Sequence, residues 1–134
     1  MSGNPALIDT SIWIEYLKSP SSKVEEKVEG LLNSGQACVC EIILAELIQG
    51  AKSEKEIAAI EGFISVLPVL EQRQGYWTKA GQLAYKLKKR GITIHIVDCL
   101  LAVIANENHC AIYTHDKHFK TISKHYPLLL YTAS

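Results

Sequence analysis

The segment "CAIYTHDKHF", residues 110–119, joins a short apolar run to a polar segment. The run at 111–113 is typical of a buried parallel strand, because it is apolar on both faces rather than alternating. It ends in a hydroxyl, an imidazole and a carboxylate at 114–116. In parallel α/β sheets, ligands gather at the carboxyl ends of strands where the strand order reverses. The segment therefore predicts a parallel sheet with a functional site at one strand end.

Similar apolar runs alternate with helical patterns along the whole chain. Predicted strands lie at 6–8, 37–40, 66–69, 111–113 and 128–130. Predicted helices lie at about 11–18, 21–34, 41–50, 53–64, 71–90, 97–108 and 116–125. This alternation is typical of a three-layer α/β/α fold with a mostly parallel sheet. With no repeat or linker in 134 residues, we expect a single domain over 1–134.

Composition narrows the class of protein. Apolar residues make up 48% of the chain and charged residues 21%, which excludes wholesale disorder. The 14 basic and 14 acidic side chains cancel, so nucleic acid would have to be bound by a local cluster. No apolar run approaches the ~20 residues that span a bilayer, and a cytoplasmic location is predicted. All four cysteines lie in apolar runs and are predicted to be reduced core residues: Cys38, Cys40, Cys99 and Cys110.

The three aspartates stand at informative places. Asp9 directly follows the first predicted strand, and Asp116 follows the fourth. Either could simply cap a helix, and Asp98 could favour the start of the sixth helix through its dipole. Helical spacing, however, puts Asp98 on the same stripe as Leu101 and Ala105, facing the sheet, where a lone carboxylate is costly.

Glu46 repeats this pattern on the third predicted helix. It falls between Ile42 and Gly50 in the apolar arc, whereas Glu41 and Gln49 mark the polar arc. We therefore expect it to face inward, the alternative being an edge carboxylate that reaches solvent. Four carboxylates at one edge would repel by about 1–4 kcal/mol per pair at ~4 Å. Carboxylate ligands without a matched Cys/His set favour Mg²⁺ or Mn²⁺, and such clusters serve metal-assisted phosphodiester hydrolysis.

Four segments together resemble the PIN-domain nucleases, and within them the VapC-type toxins of toxin–antitoxin pairs: "LIDTSIWIEYL", "AELIQGA", "IVDCLLAVIA" and "IYTHDKHF". The resemblance covers nearly the whole chain and implies a five-stranded parallel sheet of order 3-2-1-4-5. It maps the family's catalytic, metal-binding quartet onto Asp9, Glu46, Asp98 and Asp116. In one departure, His118 stands where many members have a second aspartate, which leaves the number of metal ions open.

The resemblance also implies an activity and partners. It implies a Mg²⁺- or Mn²⁺-dependent endoribonuclease that leaves a 5′-phosphate and a 3′-hydroxyl. The implied partners are an RNA substrate, a second copy of the chain in a homodimer, and a cognate antitoxin, with no membrane. The antitoxin tail would cross the early helices near Trp13 and Tyr16 and reach the acidic pocket. We expect three hydroxyls to orient the carboxylates, namely those of Thr10, Ser11 and Thr114.

Two basic clusters are candidates for binding RNA phosphates. The first ends the fifth predicted helix and comprises Lys86, Lys88, Lys89 and Arg90. The second follows Asp116 and comprises Lys117, Lys120 and Lys124. Cations that merely favour helix ends or solvated faces are the alternative.

Other functions remain open from the sequence. A non-catalytic PIN-fold module that binds RNA or protein would keep the fold and lose the quartet, and DNA cleavage is open because carboxylates do not distinguish the sugars. The spacing His115-x-x-His118 resembles part of a zinc site but lacks a second ligand pair. A haloacid-dehalogenase-type phosphatase would have an aspartate two residues after Asp9, where Ser11 stands.

Overall fold

The computed structural model describes residues 4–18 and 23–131, and it confirms the predicted α/β class. The strands are β1 (Ala6–Ile8), β2 (Ala37–Cys40), β3 (Val69–Leu70) and β4 (Ala111–Tyr113). The helices are α1 (Thr10–Lys18), α2 (Lys23–Asn33), α3 (Glu41–Gln49), α4 (Glu54–Ile64), α5 (Tyr76–Lys89), α6 (Ile96–Glu107) and α7 (Lys117–Ser123). Residues 21–22, predicted to start the second helix, lie outside the described residues.

The strands form a parallel sheet of order β3-β2-β1-β4. In the centre, Ala6 of β1 is in register with Ala37 of β2 and with Ala111 of β4. Because β1 and β4 run in the same direction, their carboxyl ends meet at one edge. There the Asp9 backbone N–H donates to the Tyr113 carbonyl at 2.9 Å. The sheet therefore places Asp9 beside the polar segment that follows β4.

The predicted fifth strand is reduced to a single parallel bridge between Ile112 and Leu130. Two hydrogen bonds of 2.9 Å flank it, from the Ile112 N–H to the Leu129 carbonyl and from the Tyr131 N–H to the Ile112 carbonyl. The segment lies beside β4, as the order 3-2-1-4-5 requires. Leu128 is buried and Leu129 is 52% exposed, so this segment buries side chains on one face only.

Two predicted boundaries were wrong. The third strand begins at Val69 rather than at residue 66, because Val66 is 79% exposed and Pro68 has no N–H to donate. Of the predicted strand residues 66–68, Pro68 bonds to the sheet through its carbonyl, which accepts from the Val39 N–H at 3.0 Å. Helix α5 begins at Tyr76 rather than at residue 71, because Gly75 at its N-terminus adopts a left-handed φ of 93°.

Helix α6 is the centre of the core. Its residues 99–105 are all buried, and the helix packs against α5, β4 and α7. All four cysteines are buried and free of disulfides, as predicted. Trp13 is fully buried and packs edge-to-face on Phe63 at 5.6 Å between ring centroids, so it is a core residue. Among the described helices, none has both the length and the apolarity needed to cross a bilayer.

Candidate active site

Asp9 lies at the carboxyl end of β1 and is only 7% exposed, the one buried charged residue among those the structure describes. Its Oδ2 atom accepts a hydrogen bond from Thr114 Oγ1 at 2.7 Å and another from Ser11 Oγ at 3.1 Å. Within the described part of the chain, no hydrogen bond to Asp9 Oδ1 is found. The two hydroxyls therefore fix the side chain through one oxygen and leave the other available to a ligand.

The same hydroxyls hold the turn between β4 and α7. Thr114 Oγ1 accepts from the Asp116 backbone N–H at 2.9 Å, and Ser11 Oγ accepts from the His115 N–H at 3.1 Å. Each hydroxyl thus bridges a backbone amide to the Asp9 carboxylate. This arrangement couples the rotamer of Asp9 to the position of Asp116.

Asp98, Asp116 and His118 form a compact cluster, with one ligand atom of each within 4.8 Å of the others. His118 Nδ1 is 3.2 Å from Asp116 Oδ1 and 3.6 Å from Asp98 Oδ2. Asp116 also caps α7, since its Oδ1 accepts from the His118 N–H at 2.9 Å. Capping and membership of the cluster are therefore compatible. The Asp98 side chain is 21% exposed and that of His118 is 57% exposed, so the cluster opens to solvent on the His118 side.

The electrostatics of the cluster favour a bound cation. Burial raises the pKa of the Asp98 carboxyl, and the neighbouring carboxylates of Asp116 and Asp9 raise it further. The imidazoles of His118 and His95 act in the opposite direction on that pKa. Carboxylate oxygens gathered in this way, with one imidazole, are a donor set that fits a divalent metal ion.

Glu46 does not face inward, and the prediction that it would was wrong. Its side chain is exposed, whereas Ile43 and Leu47 are the buried residues of α3. Its Oε1 atom accepts a hydrogen bond from Thr10 Oγ1 at 2.6 Å. Because Thr10 directly follows Asp9, Glu46 lies at the same edge of the sheet as Asp9. It is the carboxylate that reaches solvent, which was the alternative left open by the sequence. The helical spacing did not predict this exposure, because one side of α3 faces an open groove instead of the core.

This groove, the α1/α3/α4 groove, has a volume of about 290 Å³. Its walls include Ile14, Leu17, Glu46, Leu47, Ile60 and Phe63. The exposed apolar side chains of α1 are Ile14 and Leu17, at 44% and 47% exposure. Trp13 is buried, and Tyr16 is half-buried, with its hydroxyl donating to Glu29 Oε2 at 2.7 Å. Burial of the phenol, and next this hydrogen bond to Glu29, raise the pKa of Tyr16 to about 12.

The predicted RNA-binding residues are only partly brought together. Lys86, Lys89 and Arg90 line a groove of about 580 Å³ with Lys124 and His125, which we call the basic groove. Lys89 Nζ lies 5.7 Å from the centroid of the exposed Tyr85 ring, which also lines this groove. Three of the predicted RNA-binding cations are exposed but lie outside the basic groove, namely Lys88, Lys117 and Lys120.

Two histidines that were not predicted to take part in the site lower the pKa of Asp98, and of the two only His118 lies in the cluster. His118, noted only as a departure, lies on the first turn of α7 between the two carboxylates. His95 begins α6, where its Nδ1 accepts from the Val97 N–H at 3.2 Å. Its place three residues before Asp98 was the signal available. His115 instead contacts Glu15 at 2.9 Å, so His115 and His118 have separate partners and form no zinc pair.

Comparisons with known proteins identify the class of this architecture. Residues 6–125 match the family model of the PIN domain. The chain therefore belongs to the PIN domain family, which confirms the resemblance seen in its four segments.

Within this family, the chain is similar to individual proteins that are named VapC or VapBC. The chain is 32% identical over 114 residues to the tRNA(fMet)-specific endonuclease VapC of Shigella flexneri, covering 82% of this chain and 85% of that protein. DNA-bound VapBC from Salmonella typhimurium is similar in structure, with a TM-score of 0.76, 27% identity and 96% of both chains covered. VapBC-1 from nontypeable Haemophilus influenzae has a TM-score of 0.75 and 28% identity, with coverage of 94% and 96%.

Proposed function

We propose that this chain is a metal-dependent endoribonuclease and the toxin of a VapBC-type toxin–antitoxin pair. The observation that carries the proposal is the carboxylate cluster at the carboxyl edge of the sheet, where Asp98 and Asp116 converge beside a hydrogen-bonded Asp9. Similarity to proteins named VapC endonuclease and ribonuclease supports the activity, and similarity to VapBC structures supports the partner.

Asp9, Asp98, Asp116 and Glu46 are the proposed catalytic residues and ligands of the cation. A bound Mg²⁺ or Mn²⁺ would neutralise charge on the scissile phosphate and acidify water. Asp9 presents one oxygen while Thr114 and Ser11 hold the other. Glu46, exposed and hydrogen-bonded by Thr10, positions the attacking water. The water oxygen would attack phosphorus as the bond to the 3′-oxygen breaks. One proton of that water ends on the leaving 3′-oxygen, so that the products are a 5′-phosphate and a 3′-hydroxyl.

RNA phosphates are proposed to bind at Lys86, Lys88, Lys89, Arg90 and Lys117. The basic groove supports the part of this set that lines it, because clustered cations release counterions from a nucleic-acid backbone. The exposed Tyr85 ring in the same groove offers a surface on which a base can stack. The slope of log binding constant against log salt concentration reports how many phosphates the protein neutralises. Replacing both Lys86 and Lys89 by alanine is expected to lower that number by about two.

The antitoxin is proposed to occupy the α1/α3/α4 groove with an apolar segment that contacts Ile14 and Leu17. Glu46 in the wall of this groove would meet a basic side chain of the antitoxin, next to the catalytic edge. Occupation of the groove would thus block the active site. The homodimer, the single-domain organisation and the cytoplasmic location stay predictions from the sequence.

Cleavage of RNA by the purified protein tests this function. With Mn²⁺ or Mg²⁺, Asp9→Asn is expected to lower the rate by roughly 100-fold or more, because it removes a ligand charge while keeping the shape. Glu71→Gln, which alters an exposed glutamate paired with Arg73, is the matched control and should keep full activity. Circular dichroism should show the same fold for all three proteins.

Two results would contradict the proposal. Full activity of Asp9→Asn, or full activity in excess EDTA, would exclude this site and this chemistry. Binding of RNA without cleavage in either metal would favour the non-catalytic module instead. A parallel assay on single-stranded DNA of the same sequence decides whether the substrate is RNA alone.

A further inference from the structure

The position of His118 in the acidic cluster points to a specific property of the cation site. Its Nδ1 atom lies 3.2 Å from Asp116 Oδ1 and 3.6 Å from Asp98 Oδ2. Neighbouring ligands about 2.0–2.3 Å from one ion stand about 3–4 Å apart, as simple geometry requires. Both distances from Nδ1 are therefore those expected between adjacent ligands of a single ion, and one ligand atom from each of the three residues lies within 4.8 Å of the others.

An imidazole in this position has two chemical roles open to it. As a cation it would be a built-in counter-ion that occupies the place of a metal. As a neutral ring it would donate the Nδ1 lone pair to the metal. The His118 side chain is 57% exposed, and ion pairs at such exposed positions are weak, so a divalent cation readily competes with a protonated ring.

We propose that His118 Nδ1 joins Asp98 and Asp116 as a direct ligand and tips the site from Mg²⁺ toward first-row transition ions such as Mn²⁺. The inference rests on the proposed function, because it names the cation preference of that same site. Mg²⁺ is bound almost wholly through oxygen and keeps its waters, whereas transition ions accept imidazole nitrogen. A hydrogen bond from the backbone N–H of His118 to Asp116 Oδ1, at 2.9 Å, fixes the main chain from which the ring projects.

The chain supplies a matched control on the same turn. His115 is also exposed and lies one residue before Asp116, but its ring contacts Glu15 at 2.9 Å instead of the cluster. His115→Ala therefore removes an imidazole of similar exposure without removing a ligand. His118→Asp is the complementary variant, because it replaces the nitrogen ligand by an oxygen ligand.

Binding of Mn²⁺ and of Mg²⁺ is measured by calorimetry on wild type, His118→Ala, His115→Ala, His118→Asp and Asp98→Asn. His118→Ala is expected to lower the Mn²⁺ affinity by about 10-fold or more and the Mg²⁺ affinity by less than about 3-fold. His115→Ala should leave both affinities unchanged. His118→Asp should restore binding with a preference shifted toward Mg²⁺. Pulsed EPR of the Mn²⁺-loaded wild type should show coupling to a ¹⁴N nucleus that His118→Ala removes.

The outcomes separate this inference from the proposed function. Tighter binding of both ions by His118→Ala would identify the ring as a counter-ion and overturn the inference. Unchanged binding by His118→Ala, with binding lost in Asp98→Asn, would also overturn it and leave the proposed function standing. A wild-type protein that binds neither ion would overturn both.

Discussion

Helices α3 and α6 each carry a carboxylate to the same edge of the sheet, yet the two carboxylates have different surroundings. The side chain of Asp98 on α6 is 21% exposed, and its pKa is raised by burial and by the negative charges of Asp116 and Asp9. Glu46 on α3 is exposed and is hydrogen-bonded to Thr10. In the sequence of each helix the carboxylate lies within an apolar arc. The same pattern is thus followed by a largely buried carboxylate on α6 and by an exposed one on α3.

The difference follows from what covers each helix. Helix α6 is packed between the sheet and two helices, and all of residues 99–105 are buried. Helix α3 buries only Ile43 and Leu47 fully, because part of its apolar arc faces the α1/α3/α4 groove. The apolar arc of α6 therefore belongs to the core, whereas part of the apolar arc of α3 forms a surface on which another molecule can dock. Both carboxylates are proposed ligands of the cation, but Asp98 lies in the compact cluster, whereas Glu46 also lines the groove.

The largest expected effect is on cation binding. Asp98→Asn is expected to weaken Mn²⁺ binding by roughly 100-fold or more, because it removes a ligand from the cluster. Glu46→Gln should weaken it by about 10-fold or less, since Glu46 is open to solvent. Calorimetry with Mn²⁺ measures both. Equal losses in the two variants would show that the two carboxylates have the same role.

The next effect concerns the groove. Leu17→Asp places a charge on the exposed apolar wall and is expected to weaken antitoxin binding by about 10-fold or more, because burying a charge opposes docking. RNA cleavage by the free protein should stay unchanged. Biolayer interferometry with the cognate antitoxin measures the loss. Leu129→Asp is the control, at a leucine of similar exposure outside the groove, and an equal loss there would refute the docking site.

The smallest effect is on the stability of the metal-free protein. The raised pKa of Asp98 means that its stabilising contribution is present at low pH and is lost as the pH rises through its folded pKa. At pH 7 in EDTA, Asp98→Asn should therefore raise the Tm by about 2–5 °C. The gain should shrink below the ordinary aspartate pKa of 3.8, where the wild-type carboxyl is protonated in both states.

Glu46→Gln is the control for this stability measurement, and its Tm should stay within about 1 °C of wild type because the residue is exposed. A lower Tm for Asp98→Asn than for wild type at pH 7 would contradict the account of the electrostatics. Scanning calorimetry at pH 7 and at pH 3.5 supplies the comparison.

The parts of the molecule that could be predicted are those in which local sequence determines burial. The strands at 6–8, 37–40 and 111–113 lie where their continuous apolar runs predicted, because they are covered on both faces. Helix α6 lies within one residue of its predicted bounds for the same reason. Once these parallel strands are placed, the meeting of Asp9 with the 114–116 segment follows from their common direction.

The parts that could not be predicted depend on contacts between distant segments. Helical spacing orients Glu46 relative to its own helix but does not reveal that a groove lies beside it. The edge strand β3 and the bridge at Leu130 are short because they bury little apolar surface. The role of His118 depends on the approach of α7 to Asp98, twenty residues earlier in the chain, which no local pattern encodes.

The most direct test of the central claim is the anomalous scattering of Mn²⁺ in crystals of the wild-type protein. We expect a peak within about 2.0–2.3 Å of carboxylate oxygens of Asp98 and Asp116, with His118 Nδ1 bound to the same ion. The peak should be absent in Asp98→Asn crystals grown and soaked in the same way. An ion bound elsewhere, or no ion at saturating Mn²⁺, would contradict the claim that this edge of the sheet is a metal-dependent active site.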